Sequence, residues 1–519
     1  MNDHKFCFII CANKENYLNE CVWYIDKLHL PEGYEKETIV VRDAVSMASG
    51  YNQAMKQSDA KYKIYLHQDV LIVNTNLFSD LLELFQDPTI GMAGVVGRKE
   101  LLASAKYTEN WDAGAVAACN VSDAFFLSWP FEEGEKWNDV VAVDGMFMAT
   151  QYDLSWDEED FDGWDFYDIS QSITFQQAGY RIVVPGIERE EDVWIFHDAG
   201  HCEYDDWEKY RKVFCEKYAS SGHSYTETKP DINRAEREKK RQMVMSAFEA
   251  GDLERTCRLL EQLETGETDD IMSYVGLFIF VWDGEMTLLG NTNLSVNKFG
   301  EFIDQFNEVK FMLRRIYFGW QDEAWPVLRE KLRSGQITMR MLWFVMCSSI
   351  VGFTRVWWEI YALYQKEIRI FFQEGDILKA ENLLQQQDNV HLGKYENIMK
   401  VLIQVFRREV EKGVTLTVFD VFQDFDEAVT HFIRLKLYLR RIEFGLSEPY
   451  QREAYEYFIQ THVSDYLILQ ILKANIFYKV DFCNNMAQLF AREEGEGSMR
   501  AGLYAQLAEL EKSKGEEDE

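Results

Sequence analysis

The run Lys63-Ile-Tyr-Leu-His67-Gln-Asp69-Val-Leu-Ile-Val73 sets an imidazole and a carboxylate inside an otherwise apolar, β-branched stretch. Such a stretch reads as a strand buried on both faces of an α/β sheet. A carboxylate buried there without a partner would cost several kcal/mol, so Asp69 is expected where the strand ends, against a metal ion or a cation. Positions 67 and 69 share one side of a regular strand. His67 is therefore either a second ligand at that place or a hydrogen-bonded histidine at a strand end. A second concentration of chemistry spans residues 153–168, with eight acids and no bases in sixteen residues. A charge run is ordinarily a solvated face, but Trp156, Phe161, Trp164, Phe166 and Tyr167 thread this one. Asp165 and Asp168 stand three apart, on one face if both are helical, and the plain reading of either is a helix N-cap. Lastly, Val193-Trp-Ile-Phe-His197-Asp-Ala-Gly-His201 ends an apolar run in histidine, where a structural role is the ordinary one.

The elements that must carry these groups follow from periodicity. Lys5–Ala12 reads as a strand ending at Asn13, Glu15–Leu28 as a helix, and Thr38–Val41 as a strand running into Arg42-Asp43. Met47–Gln57 is a helix, Lys63–Val73 the central strand and Leu77–Phe85 a helix. This alternation predicts a parallel sheet with helices on its faces. Gly91–Gly97 reads as a glycine-marked strand, and residues 98–140 carry few regular signals. Val140–Ala149 reads as a strand interrupted by Asp144. Gly179, in Ala-Gly-Tyr, suits a helix C-cap. Neither Gly-x-Gly-x-x-Gly nor a Walker lysine motif is present, so the usual dinucleotide fold and a P-loop are not supported.

The order of these parts, over about 200 residues, resembles the nucleotide-sugar-binding domain of family 2 glycosyltransferases, the GT-A fold. The resemblance implies that the polar end of the first strand is Asn13 and that Asp43 holds the base or ribose of the donor. It implies that Asn52 is the asparagine of the following helix, and that Asp69 is the second acid of an Asp-x-Asp strand. This chain departs there, with His67-Gln68-Asp69 in place of two aspartates. Asp144 would lie near the diphosphate or the acceptor, and residues 98–140 would be the variable acceptor-facing part. His197 is similar to the family's late histidine, which completes the ion's coordination or contacts the diphosphate; His201 has a weaker claim. The ion implied is Mn²⁺ or Mg²⁺, bridging the phosphates of the leaving group. An inverting transferase also needs a carboxylate to take the acceptor hydroxyl's proton. The resemblance points to Asp165 for that role, with Asp168 nearly equal.

Beyond about residue 228 strand-like runs vanish and apolar residues recur at helical spacing. Phe248–Leu260 and Phe372–Leu384 both carry Gly-Asp followed by Leu-Leu, as tetratricopeptide-like hairpins do between helices. Their separation does not fit a 34-residue period, so the expectation is a helical domain, either TPR-like or an ordinary bundle. The aromatic residues Phe311, Tyr317, Trp320, Trp325, Trp343, Trp357 and Trp358 read as core rather than sugar platform. The organisation expected is a GT-A-like domain over 1–228, a connecting helix over 229–245, an all-α domain over 246–500 and an acidic tail over 501–519.

The 519 residues carry a net charge of −34, which makes nucleic acid or an anionic membrane a poor partner. The basic run Arg234–Arg241 is interleaved with glutamate and reads as a solvated helix. Nine scattered cysteines without a Cys-x-x-Cys pair fit a reducing compartment. The N-terminus enters a strand at once, without the basic region of a leader, and the apolar runs 271–282 and 341–353 fall short of a membrane span. A soluble cytoplasmic enzyme is expected, moving a sugar from a nucleotide-diphosphate donor to a hydroxyl on a glycan or protein, with its oligomeric state open. The alternatives are a nucleotidyltransferase on a related sheet, or a non-catalytic scaffold with a decayed transferase site. The helical half would select the acceptor, so deletion beyond about 235 would abolish transfer while sparing donor hydrolysis.

Overall fold

A computed structural model describes residues 1–350 apart from 109, 122–123, 132–135, 201–205, 227–233, 264–269, 290–294, 335 and 338. Beyond 350 it describes scattered residues between 356 and 412, and 425–517 apart from 446, 447, 477 and 496. The chain divides into two compact units, Met1–Trp357 and Trp358–Glu519.

The first unit begins β1 (Asn2–Cys11), α1 (Glu15–Asp26), β2 (Glu35–Val41), α2 (Met47–Met55) and β3 (Ala60–His67). Strand β1 pairs in parallel with β2 on one side and β3 on the other. Its side chains alternate between two cores. Phe6, Phe8 and Ile10 meet Leu18, Tyr24 and Ile25 of α1, while Cys7, Ile9 and Cys11 meet Ala48, Tyr51 and Ala54 of α2. That alternation of apolar groups on both faces is why the sequence reads as a sheet covered on each side.

The central run is not one strand. It breaks at Gln68-Asp69 into β3 and β4 (Val70–Ile72), which belong to different sheets. After β4 come α3 (Leu77–Leu84), β5 (Ile90–Ala93), β6 (Val96–Arg98), β7 (Ala113–Cys119), β8 (Ala124–Ser128), β9 (Trp137–Val140), β10 (Ala142–Val143) and β11 (Phe147–Thr150). Residues 98–140 thus hold three strands. The first of them, Ala-Gly-Ala-Val-Ala-Ala-Cys, has Val116 as its one β-branched residue and no aromatic to advertise a strand, and it is held by pairing with β6, β8 and β13.

There follow α4 (Tyr167–Gln177), β12 (Arg181–Pro185), β13 (Ile195–Asp198) and α5 (Trp207–Lys217). The larger sheet runs β2-β1-β3-β11-β5-β12-β9, and the smaller β10-β6-β7-β13-β4 with β8 on β7. The larger sheet is mixed rather than parallel, because β11 enters antiparallel between β3 and β5. Local periodicity carries no information on strand direction, so that insertion is legible only in the fold. Gly179, with φ 87°, follows the last residues of α4 in the left-handed conformation that ends a helix.

The first unit continues through α6 (Arg234–Glu249), α7 (Leu253–Leu260), α8 (Asp270–Leu289), α9 (Phe299–Tyr317), α10 (Gln321–Arg333) and α11 (Met339–Ser349). The Gly-Asp turn at 251–252 is as expected: Gly251 has φ 75° and the Asp252 carboxylate accepts from the Arg255 amide, capping α7. The matching segment Phe372–Leu384 lies outside the described residues, as do Trp357 and Trp358. Phe311 is buried, and Trp320 packs edge-on against Trp23 and Tyr24. The second unit, taken by itself, contains helices Phe425–Glu443, Glu448–Gln460, Asp465–Asn475, Lys479–Glu494 and Met499–Glu517. Among the described residues no helix is long and apolar enough to cross a membrane.

Candidate active site

The carboxyl ends of β1, β2 and β3 open onto a cleft of about 600 Å³, the place where an open α/β sheet keeps its ligands. Its walls are Cys11 to Asn13, Glu15, Val41 to Ala44, Met47, the His67-Gln68-Asp69 turn, and Trp164 from the acid cluster. The turn is held from β1. Gln68 Oε1 accepts from the Asn13 and Lys14 amides at 3.0 and 2.8 Å, and Gln68 Nε2 donates to Asn13 Oδ1 at 2.7 Å. The residue that interrupts the acidic pattern is thus a brace for the site floor. Asp43, two residues beyond β2, has φ 49°, a left-handed backbone that Asp tolerates better than most residues. Beside it Arg42 forks onto the Glu15 carboxylate at 2.7 and 3.2 Å.

Strand β13 pairs antiparallel with β4, setting His197 opposite Val70. This brings His197 Nε2 within 3.5 Å of Asp69 Oδ1. Ligand atoms of His67, Asp69 and His197 all lie within 4.8 Å of one another. The buried Asp69 Oδ1 has no hydrogen-bond partner, because 3.5 Å is at the limit of such a bond. An orphaned carboxylate oxygen facing two imidazoles is a donor set that fits a divalent cation. Electrostatics agree with the geometry. Burial would raise Asp69, but His197 and His67 outweigh it and hold the carboxylate below its usual range. Burial likewise opposes charge on His197, yet Asp69, Asp144 and Asp198 raise it. His67, in contrast, is lowered chiefly by burial, and its Nε2 lies 2.6 Å from the Tyr167 hydroxyl.

Tyr167 opens α4 and reaches the site over Gly145, where a β-carbon would collide with its hydroxyl. The neighbouring Asp144 lies in the break between β10 and β11, its Oδ1 accepting from the Met146 amide at 3.0 Å. Asp168, in the first turn of α4, is 8% exposed, and both its oxygens accept backbone N–H groups, from Gly145 at 2.9 Å and Ile169 at 2.8 Å. Burial, followed by the nearby Asp144 charge, pushes it up to about 7. Asp165 precedes the helix, so the two acids do not share a helical face; Phe166, with φ 63°, intervenes. Asp165 is half-buried next to Trp164, and burial, followed by Asp206, pushes it up to about 6.

Asn52 is not brought to the cleft. Both ends of its amide bind the Trp156 backbone, at 2.9 Å each. The rest of the acid cluster is largely structural: Asp153 pairs with the buried Lys63 at 2.9 Å, and Asp157 and Asp160 both pair with Lys217. His201 lies outside the described residues. Sequence reading did not place Glu15, Arg42, Met47, Gln68 and Trp164 in the site. Trp164 had a signal, a tryptophan flanked by glycine and aspartate in a charged run, and it is 53% exposed in the structure.

The family model described as "Glycosyltransferase like family" matches residues 7–218. No curated protein matches the chain. Among solved structures, S. aureus TarS is 14% identical over 41% of this chain, which spans 39% of that one, with a TM-score of 0.27. A mannosyltransferase of Pyrobaculum calidifontis, PcManGT in complex with GDP-Man and Mn²⁺, is 11% identical over 55% of this chain and 81% of its own, with a TM-score of 0.28. S. aureus TarS 1–349 in complex with UDP is 12% identical over 64% and 92%, with a TM-score of 0.29.

Proposed function

We propose that residues 7–218, which match the glycosyltransferase-like family model, perform metal-assisted, inverting transfer of a sugar from a nucleotide-diphosphate donor to a hydroxyl of a glycan or protein. The observation that carries this reading is the meeting of Asp69, His67 and His197 within 4.8 Å, at the carboxyl end of β3, which pairs in parallel with β1 and antiparallel with β11. Asp69 and His197 would hold the ion, with His67 as a third ligand. One carboxylate with two imidazoles favours Mn²⁺ over Mg²⁺, which prefers an all-oxygen shell. When bound, such an ion neutralises the charge that grows on a departing diphosphate.

The chain's own residues supply the rest. Asp43, just beyond β2, is suited to the ribose or base, and the exposed Trp164 indole offers a face on which a base can stack. Asn13 and Gln68 fix the backbone at the cleft floor. Asp165 is the better base: Asp168 is already committed through both oxygens to backbone amides. In the reaction the acceptor oxygen attacks the anomeric carbon from the face opposite the diphosphate. Its proton passes to the Asp165 carboxylate as the bond to the diphosphate oxygen breaks, and the anomeric configuration inverts. Asp144 lies close enough to both Asp168 and His67 to set the charge around them.

Calorimetry with UDP or GDP, with and without Mn²⁺, tests the binding half of this reading. Wild-type protein should bind in a metal-dependent way and Asp69→Asn should lose that dependence. Wild-type binding indifferent to metal, or no binding at all, would favour a scaffold and end the enzymatic assignment. A hydrolysis panel of nucleotide sugars, followed by NMR of the released anomer, then identifies the donor and tests inversion.

A further inference from the structure

The smaller sheet ends in a buried charge cluster that the transferase reading does not use. Side chains on a strand alternate between faces, so in β13 His197 faces Asp69 and His67 while Phe196 and Asp198 lie on the other side. The register sets Asp198 opposite Cys119 of β7. On that far face lies α9, a helix outside the residues 7–218 that the family model matches. Its Arg314 is completely buried and grips three groups of the two strands. One guanidinium nitrogen donates to Asp198 Oδ2 at 2.8 Å, another lies 2.7 Å from Cys119 Sγ, and the guanidinium carbon is 4.5 Å from the centre of the Phe196 ring. Burial pushes the Cys119 thiol up to about 12, so its sulfur stays a neutral acceptor. Lys310, one helical turn earlier, reaches the same Asp198 oxygen at 2.5 Å and donates to the Tyr17 hydroxyl at 3.1 Å. Arg314 Nε also donates to the Ser349 carbonyl at the end of α11, at 3.2 Å.

Asp198 in turn is tied to the site. Its backbone N–H donates to the Asp69 carbonyl at 2.9 Å, and it directly follows His197. A carboxylate that is 4% exposed is tolerable only with its counter-charges in place. The helix that supplies them therefore governs where the last residues of β13 lie. Further along α1 and α9, Arg315 pairs with the buried Glu20, so the helix is seated at more than one point.

We propose that α9 is part of the metal site: Lys310 and Arg314 are positioning residues that, through Asp198, hold His197 and the Asp69 turn at ligating distance. The inference rests on the metal reading above and deepens it, because it makes a helix beyond the transferase-like region a condition of cation binding.

The test is Mn²⁺ binding by full-length protein, followed by the electron paramagnetic resonance of free Mn²⁺, with no nucleotide present. Removing a group that holds a metal ligand in place commonly costs about 10- to 100-fold in metal affinity. Arg314→Met should raise the Mn²⁺ dissociation constant by about that factor, Lys310→Met by less, and Arg314→Lys, which keeps the charge, least of all. A merely structural role would give fewer folded molecules with wild-type affinity. That outcome, read as reduced stoichiometry at an unchanged dissociation constant, overturns the proposal. If Arg314→Met does not fold, Lys310→Met decides: unchanged affinity there also overturns it. Wild-type protein that binds no Mn²⁺ would defeat the metal reading itself, and this inference with it.

Discussion

Asp165 and Asp168 differ in what surrounds them, and that difference is measurable. A general base acts ionised, so with Asp165 in that role, transfer should climb as pH rises through about 6 and level off above it. A limb centred near 7 would instead point to Asp168. Asp165→Asn is expected to slow transfer by about 10²- to 10⁴-fold, with donor affinity retained in calorimetry. Asp168 has a separate signature in stability. Its folded carboxyl is raised, so between about pH 4 and its folded value the folded state holds a proton that the unfolded chain has lost. Its contribution to stability is therefore complete below about pH 4 and declines as pH rises to about 7. Denaturant midpoints for wild type and Asp168→Asn across pH 4 to 8 should show the wild-type decline flattened in the variant. Equal slopes would count against a proton held at that position.

The turn after β3 shows what an element can do that a residue cannot. Because β3 stops at His67 and β4 enters the other sheet, Asp69 stands at the junction of both sheets, and β13 can bring His197 to it by pairing with β4. A continuous strand, the expectation from its apolar run, would have carried Asp69 along the larger sheet instead. Asn52 makes the complementary case. It sits on α2 where the resemblance implies a donor contact, yet its amide clamps the loop that begins the acid cluster. Asn52→Ala should strand the Trp156 N–H and C=O and lower stability by about 2–4 kcal/mol, measured by urea denaturation, with nucleotide affinity changed little. A variant as stable as wild type that binds nucleotide more weakly would return Asn52 to the donor site.

At the level of the whole chain, the helices up to α11 belong to the same compact unit as the two sheets, Met1–Trp357. This bears on the expectation that removing everything beyond about 235 would spare donor hydrolysis. Such a cut deletes Lys310 and Arg314 and leaves Asp198 buried without its counter-charges, a loss of about 3–5 kcal/mol for a broken buried pair. We expect a chain ending near 235 to lose Mn²⁺-dependent hydrolysis together with transfer. A chain ending at Trp357 should keep hydrolysis, whatever becomes of acceptor selection. Activity of the shorter chain equal to that of the longer would show that α9 is dispensable. The net charge of −34 adds an expectation for the full-length protein: it should not bind nucleic acid at physiological salt, by filter retention.

The amino-acid sequence by itself determined what depends on near neighbours. The alternation in β1, the periodicity of α1 and α2, the Gly-Asp turn before α7, and an acid at the carboxyl end of the third strand were all legible, because strand and helix periods are local properties of the chain. The order of parts that resembles the GT-A fold follows from them, over the stretch that the glycosyltransferase-like family model matches. Only the tertiary structure decided the direction of β11, the partnership of Asp69 with His197, the withdrawal of Asn52 and Asp168 into backbone contacts, and the seating of α9 beneath β13. Each of these joins residues distant along the chain. A buried arginine such as Arg314 looks in sequence like any arginine on an amphipathic helix, since what makes its burial tolerable is a carboxylate that folding alone puts beside it.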